Sequence, residues 1–118
     1  MGIQRLFGNF TTSTSGTVSA SSCDGFSVAK TGSEAGRYTV TLQDGYTALY
    51  GANVSVISAQ ADTAYTTAKG LNSFIRNVDV VTAKTFDIQF SRTDTAADAE
   101  LEDGAKVLIE IVLKNSSV

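Results

Sequence analysis

The densest group of chemically capable side chains lies in DTAADAELEDG, Asp94 to Gly104. It holds five carboxylates: Asp94, Asp98, Glu100, Glu102 and Asp103. A calcium site draws about six to eight oxygen ligands from such a loop, but the EF-hand spacing is absent, so a solvated acidic loop is the simpler expectation. Two carboxylates could also serve as acid and nucleophile in glycoside hydrolysis, yet nothing else in the chain suggests a sugar cleft. The chain has no histidine, which removes the commonest general base and the commonest metal ligand. A Ser–His–Asp or Cys–His arrangement therefore cannot be built. Cys23 is the single cysteine, so no intrachain disulfide forms, and its type reads as a small buried apolar residue. Neither a phosphate-binding loop nor a dinucleotide fingerprint is present. These residues lead us to expect no enzyme, no cofactor and no metal.

Side chains suited to binding a partner are easier to find. Ile3, Leu6, Phe7 and Phe10 form an apolar set ahead of TTSTSGTVSASS, in which nine of twelve residues are Ser or Thr. Their spacing fits one helical face, and the polar run behind them reads as a linker or an extended edge segment. The set is expected either to fold back or to dock into a neighbouring chain. Tyr65 stands alone in the polar stretch AQADTAYTTAKG and could anchor a partner surface. Formal net charge is −3 with no basic run, which argues against nucleic acid. No window approaches the roughly 18 apolar residues of a membrane span. No secretory h-region is evident, so synthesis in a cytoplasm without export is expected.

The elements that must position these residues read as strands. In AKVLIEIVLKNSSV, odd positions Ala105, Val107, Ile109, Ile111 and Leu113 are all apolar, and even positions mix charge with Leu108 and Val112. A period of two rich in β-branched residues predicts a long strand with its odd face in a core. The even face, Leu108, Glu110 and Val112, is too apolar for free solvation and too charged for a dry core. It is expected at a subunit boundary around a trimer axis, with Glu110 meeting Arg37, Arg76 or Arg92. Phe26–Val28 and Tyr38–Leu42 read as a hairpin across a glycine-bounded turn. DGYTALYG reads as a short helical crossover capped by Asp44 and stopped by Gly51. Further strands are expected over Asn53–Ala59, over Phe74–Val81 with Phe74, Val78 and Val80 inward, and over Thr85–Arg92 with Phe86, Ile88 and Phe90 inward. The chain of 118 residues suits a single β-sandwich or jelly roll over residues 23–118. Residues 1–22 would form an extended N-terminal arm and linker.

GRYTVTLQDGYTALYGANVSV, TFDIQF and the closing AKVLIEIVLKNSSV together resemble the small β-rich virion proteins of tailed bacteriophages. The resemblance rests on Gly36–Leu42, Asp44–Leu49 and Leu113–Ser117, and covers residues 25 to 118. It implies a head decoration or cement protein on a capsid surface. The partners would be the major capsid protein and further copies of the chain as a homo-oligomer, expected to be a trimer. Relatives of similar size serve at tails or fibre tips, where a β-sandwich recognises a receptor or carbohydrate. The family pattern carries no catalytic residues.

Overall fold

The computed structural model describes residues 2–13, 16–32, 35–57, 71–92 and 104–114. These form eight strands: β1 (Ile3–Thr12), β2 (Val18–Cys23), β3 (Phe26–Lys30), β4 (Arg37–Leu42), β5 (Ala48–Ile57), β6 (Leu71–Asp79), β7 (Thr85–Arg92) and β8 (Lys106–Lys114). They build two four-stranded sheets, β2-β1-β8-β5 (sheet A) and β3-β4-β7-β6 (sheet B), with every pairing antiparallel. The sheets pack face to face as a β-sandwich, the arrangement that alternating apolar strands require to bury one face each.

The closing strand behaves as its alternation predicts. Val107, Ile109, Ile111 and Leu113 are buried. β8 is central, paired on one side with β1 (Phe7 opposite Glu110) and on the other with β5 (Asn53 opposite Glu110). From sheet B, Tyr38 and Val40 of β4 and Phe86, Ile88 and Phe90 of β7 fill the space opposite. An aromatic row crosses the core: Phe10 lies 5.0 Å from Tyr38, and Tyr38 lies 5.9 Å from Phe90 in an edge-on contact. The buried Tyr38 hydroxyl donates to the Gly16 carbonyl, so the β1–β2 connection is tied to sheet B.

Three local expectations are corrected. The N-terminal segment is no arm: Ile3–Thr12 is a strand held between β2 and β8. The helical spacing of Ile3, Leu6, Phe7 and Phe10 splits in a strand into an inner pair, Leu6 and Phe10, and an outer pair, Ile3 and Phe7. Leu6 and Phe10 are core residues. Gly8 sits between them on the inner face, and its missing side chain is replaced from above. A Cβ there would lie 2.6 Å from the Phe26 ring and 2.7 Å from the Cys23 sulfur.

No helix forms over Asp44–Gly51; β5 begins at Ala48 and runs on to Ile57. A β-bulge between Leu49 and Gly51 breaks the period of two, which is why Tyr46, Leu49 and Tyr50 imitate helical spacing. In β6, Phe74 and Val78 are exposed and Ile75 packs against the core instead. The register shifts between Arg76 and Asp79, and Asn77 adopts a left-handed φ of 55°, so the strand turns over before Val80 returns to the core.

Candidate interaction face

The two outer faces of the sandwich differ in how their side chains are occupied. On sheet B the polar groups satisfy one another. Asp87, in the middle of β7, accepts from Thr39 Oγ1 at 2.8 Å and from Asn77 Nδ2 at 2.8 Å. Gln89 accepts from Arg37 Nε at 3.0 Å and donates to the Ala35 carbonyl at 2.9 Å. Both residues point away from the core, as their alternation predicts, yet both are buried beneath these partners. These polar groups, bonded to one another, offer little to a ligand, although Phe74 of β6, opposite Gln89, is exposed beside them.

Sheet A presents the opposite case. Its outer face collects the odd residues of β1, the even residues of β8 and, past the bulge, the odd residues of β5. Ile3, Phe7, Leu108 and Ile57 are all exposed large apolar side chains on this face. Val112 is half-buried between Arg5 and Gly51. Near the middle lies a depression of 460 Å³ that spans all four strands, from Ser22 and Asp24 across Phe7 and Leu108 to Asn53 and Ser55. Glu110 lines it and is fixed from both sides. Arg5 Nη1 lies 3.4 Å from one carboxylate oxygen, and Asn53 Nδ2 donates to the other at 2.9 Å. Arg5 is more than half exposed, so this ion pair orients the carboxylate more than it stabilises the fold.

Five residues expected from sequence to bind a partner therefore share one surface: Ile3, Phe7, Leu108, Glu110 and Val112. Leu6 and Phe10 do not belong to it, because strand alternation turns them inward. Tyr65 lies outside the described residues, as do the carboxylates of the acidic loop. Within the single chain, Glu110 is engaged by a neighbouring strand. It meets Arg5 of its own chain, since β1 runs beside β8, while Arg37 is engaged with Gln89 on the other sheet. Asn9, Asn53 and Ser55 were missed. Their side-chain types are unremarkable in sequence, and only the pairing of β1 and β5 with β8 brings them to Leu108 and Glu110.

Cys23 of β2 turns to the inner side of sheet A, opposite Gly8 and partly buried against the core, its sulfur 3.7 Å from the Asn9 carbonyl. Burial pushes the thiol above its usual range, and the Asp24 carboxylate adds to the shift. That environment disfavours a thiolate and with it nucleophilic chemistry at this position. Among the described residues no group of three His, Cys, Asp or Glu side chains could hold a metal ion.

Comparison with protein-family models, with curated proteins and with solved structures returns no match.

Proposed function

We propose that this protein is a non-enzymatic assembly module that docks through the outer face of sheet A, and that its setting is a bacteriophage virion, as a decoration protein on the capsid. The observation that carries the docking role is the row of exposed Ile3, Phe7 and Leu108 on a face built by two adjacent strands. Phe7 and Leu108 are diagonal neighbours across β1 and β8, with Ile3 beyond Arg5, and exposed apolar side chains gathered on one face mark association sites. Covering these three side chains would contribute on the order of several kcal/mol before ordering costs. Repeated over a symmetric lattice, contacts of that size hold firmly without any single strong site. The virion setting rests on the sequence resemblance of residues 25–118 and on the lack of histidine-based chemistry.

Co-sedimentation with capsid shells assembled without this protein tests the reading. Leu108→Asp should leave the circular dichroism spectrum unchanged and abolish binding, because the new charge would be buried only on docking. Wild-type chain that stays in the supernatant overturns the capsid assignment. A Leu108→Asp variant that binds as well as wild type overturns the choice of face.

A second reading has its own observation. Around the Phe7 ring, the side chains of Asn9, Ser22, Asp24 and Ser55 line the depression and carry no hydrogen bond within the described residues. An aromatic surface edged by unengaged amide, hydroxyl and carboxylate groups suits a sugar, as in a fibre-tip recognition module. Saturable binding of soluble glycans, lost in Phe7→Ala, would favour this reading over docking to protein.

A further inference from the structure

We infer that two copies of this chain pair edge to edge through β5, joining their A sheets into one continuous eight-stranded antiparallel sheet. β5 is an outer strand, bonded on one side to β8, with no strand pairing on its other side among the described residues. An unpaired edge is a template for another strand, and proteins that must stay apart blunt it with charge, proline or bulges. The outer strands of sheet B carry such devices: β3 is short and ends on Lys30, and β6 holds Arg76, Asp79 and a bulge. The other outer strand of sheet A, β2, has six residues. β5 runs for ten residues, ALYGANVSVI, with no charge and no proline, and its bulge lies at one end, between Leu49 and Gly51.

The occupant is a second copy because this edge complements itself. Opposed residues of an antiparallel pair share a face of the sheet, so a two-fold axis perpendicular to the sheet can only match outer with outer and inner with inner. The regular stretch beyond the bulge, residues 51–57, is symmetric about Val54. With Val54 opposite its own copy, Asn53 faces Ser55, Ala52 faces Val56, and Gly51 faces Ile57. Gly51 has open space where a side chain would be, and Tyr50 beside it is 58% exposed. Ile57, 53% exposed, would fill that space against Tyr50 of the other copy. No like charges meet anywhere in this register. On the inner face, Ala52, Val54 and Val56 touch the core yet remain only partly buried, because the sandwich ends there; a paired copy would continue it. The proposal does not depend on what the outer face binds.

Sedimentation velocity of the full chain should give a dimer, and a double variant, Asn53→Lys with Ser55→Lys, should give a folded monomer. Its lysines would sit directly opposite one another across the axis while remaining solvated in the single chain. Two such pairs should raise the dissociation constant by roughly tenfold or more. Register is read independently, in a Cys23→Ser background, by mixing Asn53→Cys chains with Ser55→Cys chains under mild oxidation. Directly opposed positions meet the distance a disulfide needs, so the mixed disulfide should exceed either self-linked species. A monomeric wild type, a trimer, a double variant that dimerises as tightly as wild type, or crosslinks with no preference for the mixed species would each overturn the proposal.

Discussion

Replacing Phe10 by Ala removes a ring that is fully buried in β1, in tilted contact with Tyr38 at 5.0 Å beneath sheet B. Truncating a buried phenylalanine costs about 3–5 kcal/mol, including the cavity it leaves. The lost contact with Tyr38 brings the value toward the upper part of that range. A domain of this size is stable by roughly 6–18 kcal/mol, so Phe10→Ala should remain folded at low temperature but with much of its margin gone. With a urea slope of about 2 kcal/mol per molar, the midpoint should fall by on the order of 2 M. The control is Phe7→Ala, three residues earlier on the same strand. Phe7 is 55% exposed on the outer face, so its loss should change stability by about 0.5 kcal/mol. Urea titrations followed by circular dichroism measure both. Equal, small effects at the two positions would refute the placement of β1 in the sheet and restore a free N-terminal arm. Equal, large effects would mean that the outer face is covered within the single chain.

Two further outcomes follow from the same strand and its neighbour. Gly8→Ala should destabilise by about 1–3 kcal/mol, since its Cβ would lie 2.6 Å from the Phe26 ring and 2.9 Å from the Cys23 backbone; a thermal melt unchanged from wild type would mean that the sheets are not this close. Stability should also decline in alkali through Cys23. Its folded thiol is raised mainly by burial, so its contribution is complete below the unfolded value of about 8.5 and is lost as pH climbs through the higher folded value. Tyr46 is raised too, by burial and then by Asp44, and shifts stability in the same direction at higher pH. Comparing urea midpoints of wild type and Cys23→Ser between about pH 7 and 10.5 isolates the thiol; identical slopes would contradict it.

Where one strand obeys a strict period of two, its face is legible in the sequence. β4, β7 and β8 each alternate cleanly, and their inward residues Tyr38, Val40, Phe86, Ile88, Phe90 and Ile109 are all in the core. The misreadings gather where the period breaks. Gly8 leaves an apparent hole in the inner face of β1, so the remaining apolar residues fall into helical spacing. The bulges in β5 and β6 shift the alternation part-way along each strand. The interaction face was half legible for a related reason. The surplus apolar character of Leu108 and Val112 is local to β8, but the residues completing the surface come from β1, about a hundred positions away in sequence, and from β5. Pairing over that distance leaves no trace in any short window. Asp87 and Gln89 show the reverse case: their outward orientation was readable, but not the partners that bury them.

The antiparallel pairing of β1 with β8 sets Ile3 beside Lys114 at one end of sheet A. Tension applied between those two residues would not slide the strands past one another. It would open them like a zipper, loading one pair of ladder hydrogen bonds at a time, so the sheet would part at low force. The same sheet gripped across its outer face, through Phe7, Leu108 and Ser55, carries load over several strands together. How this protein is attached therefore sets its strength under pull: an anchor near residues 3 and 114 is a weak link, and an anchor on the sheet face is a brace.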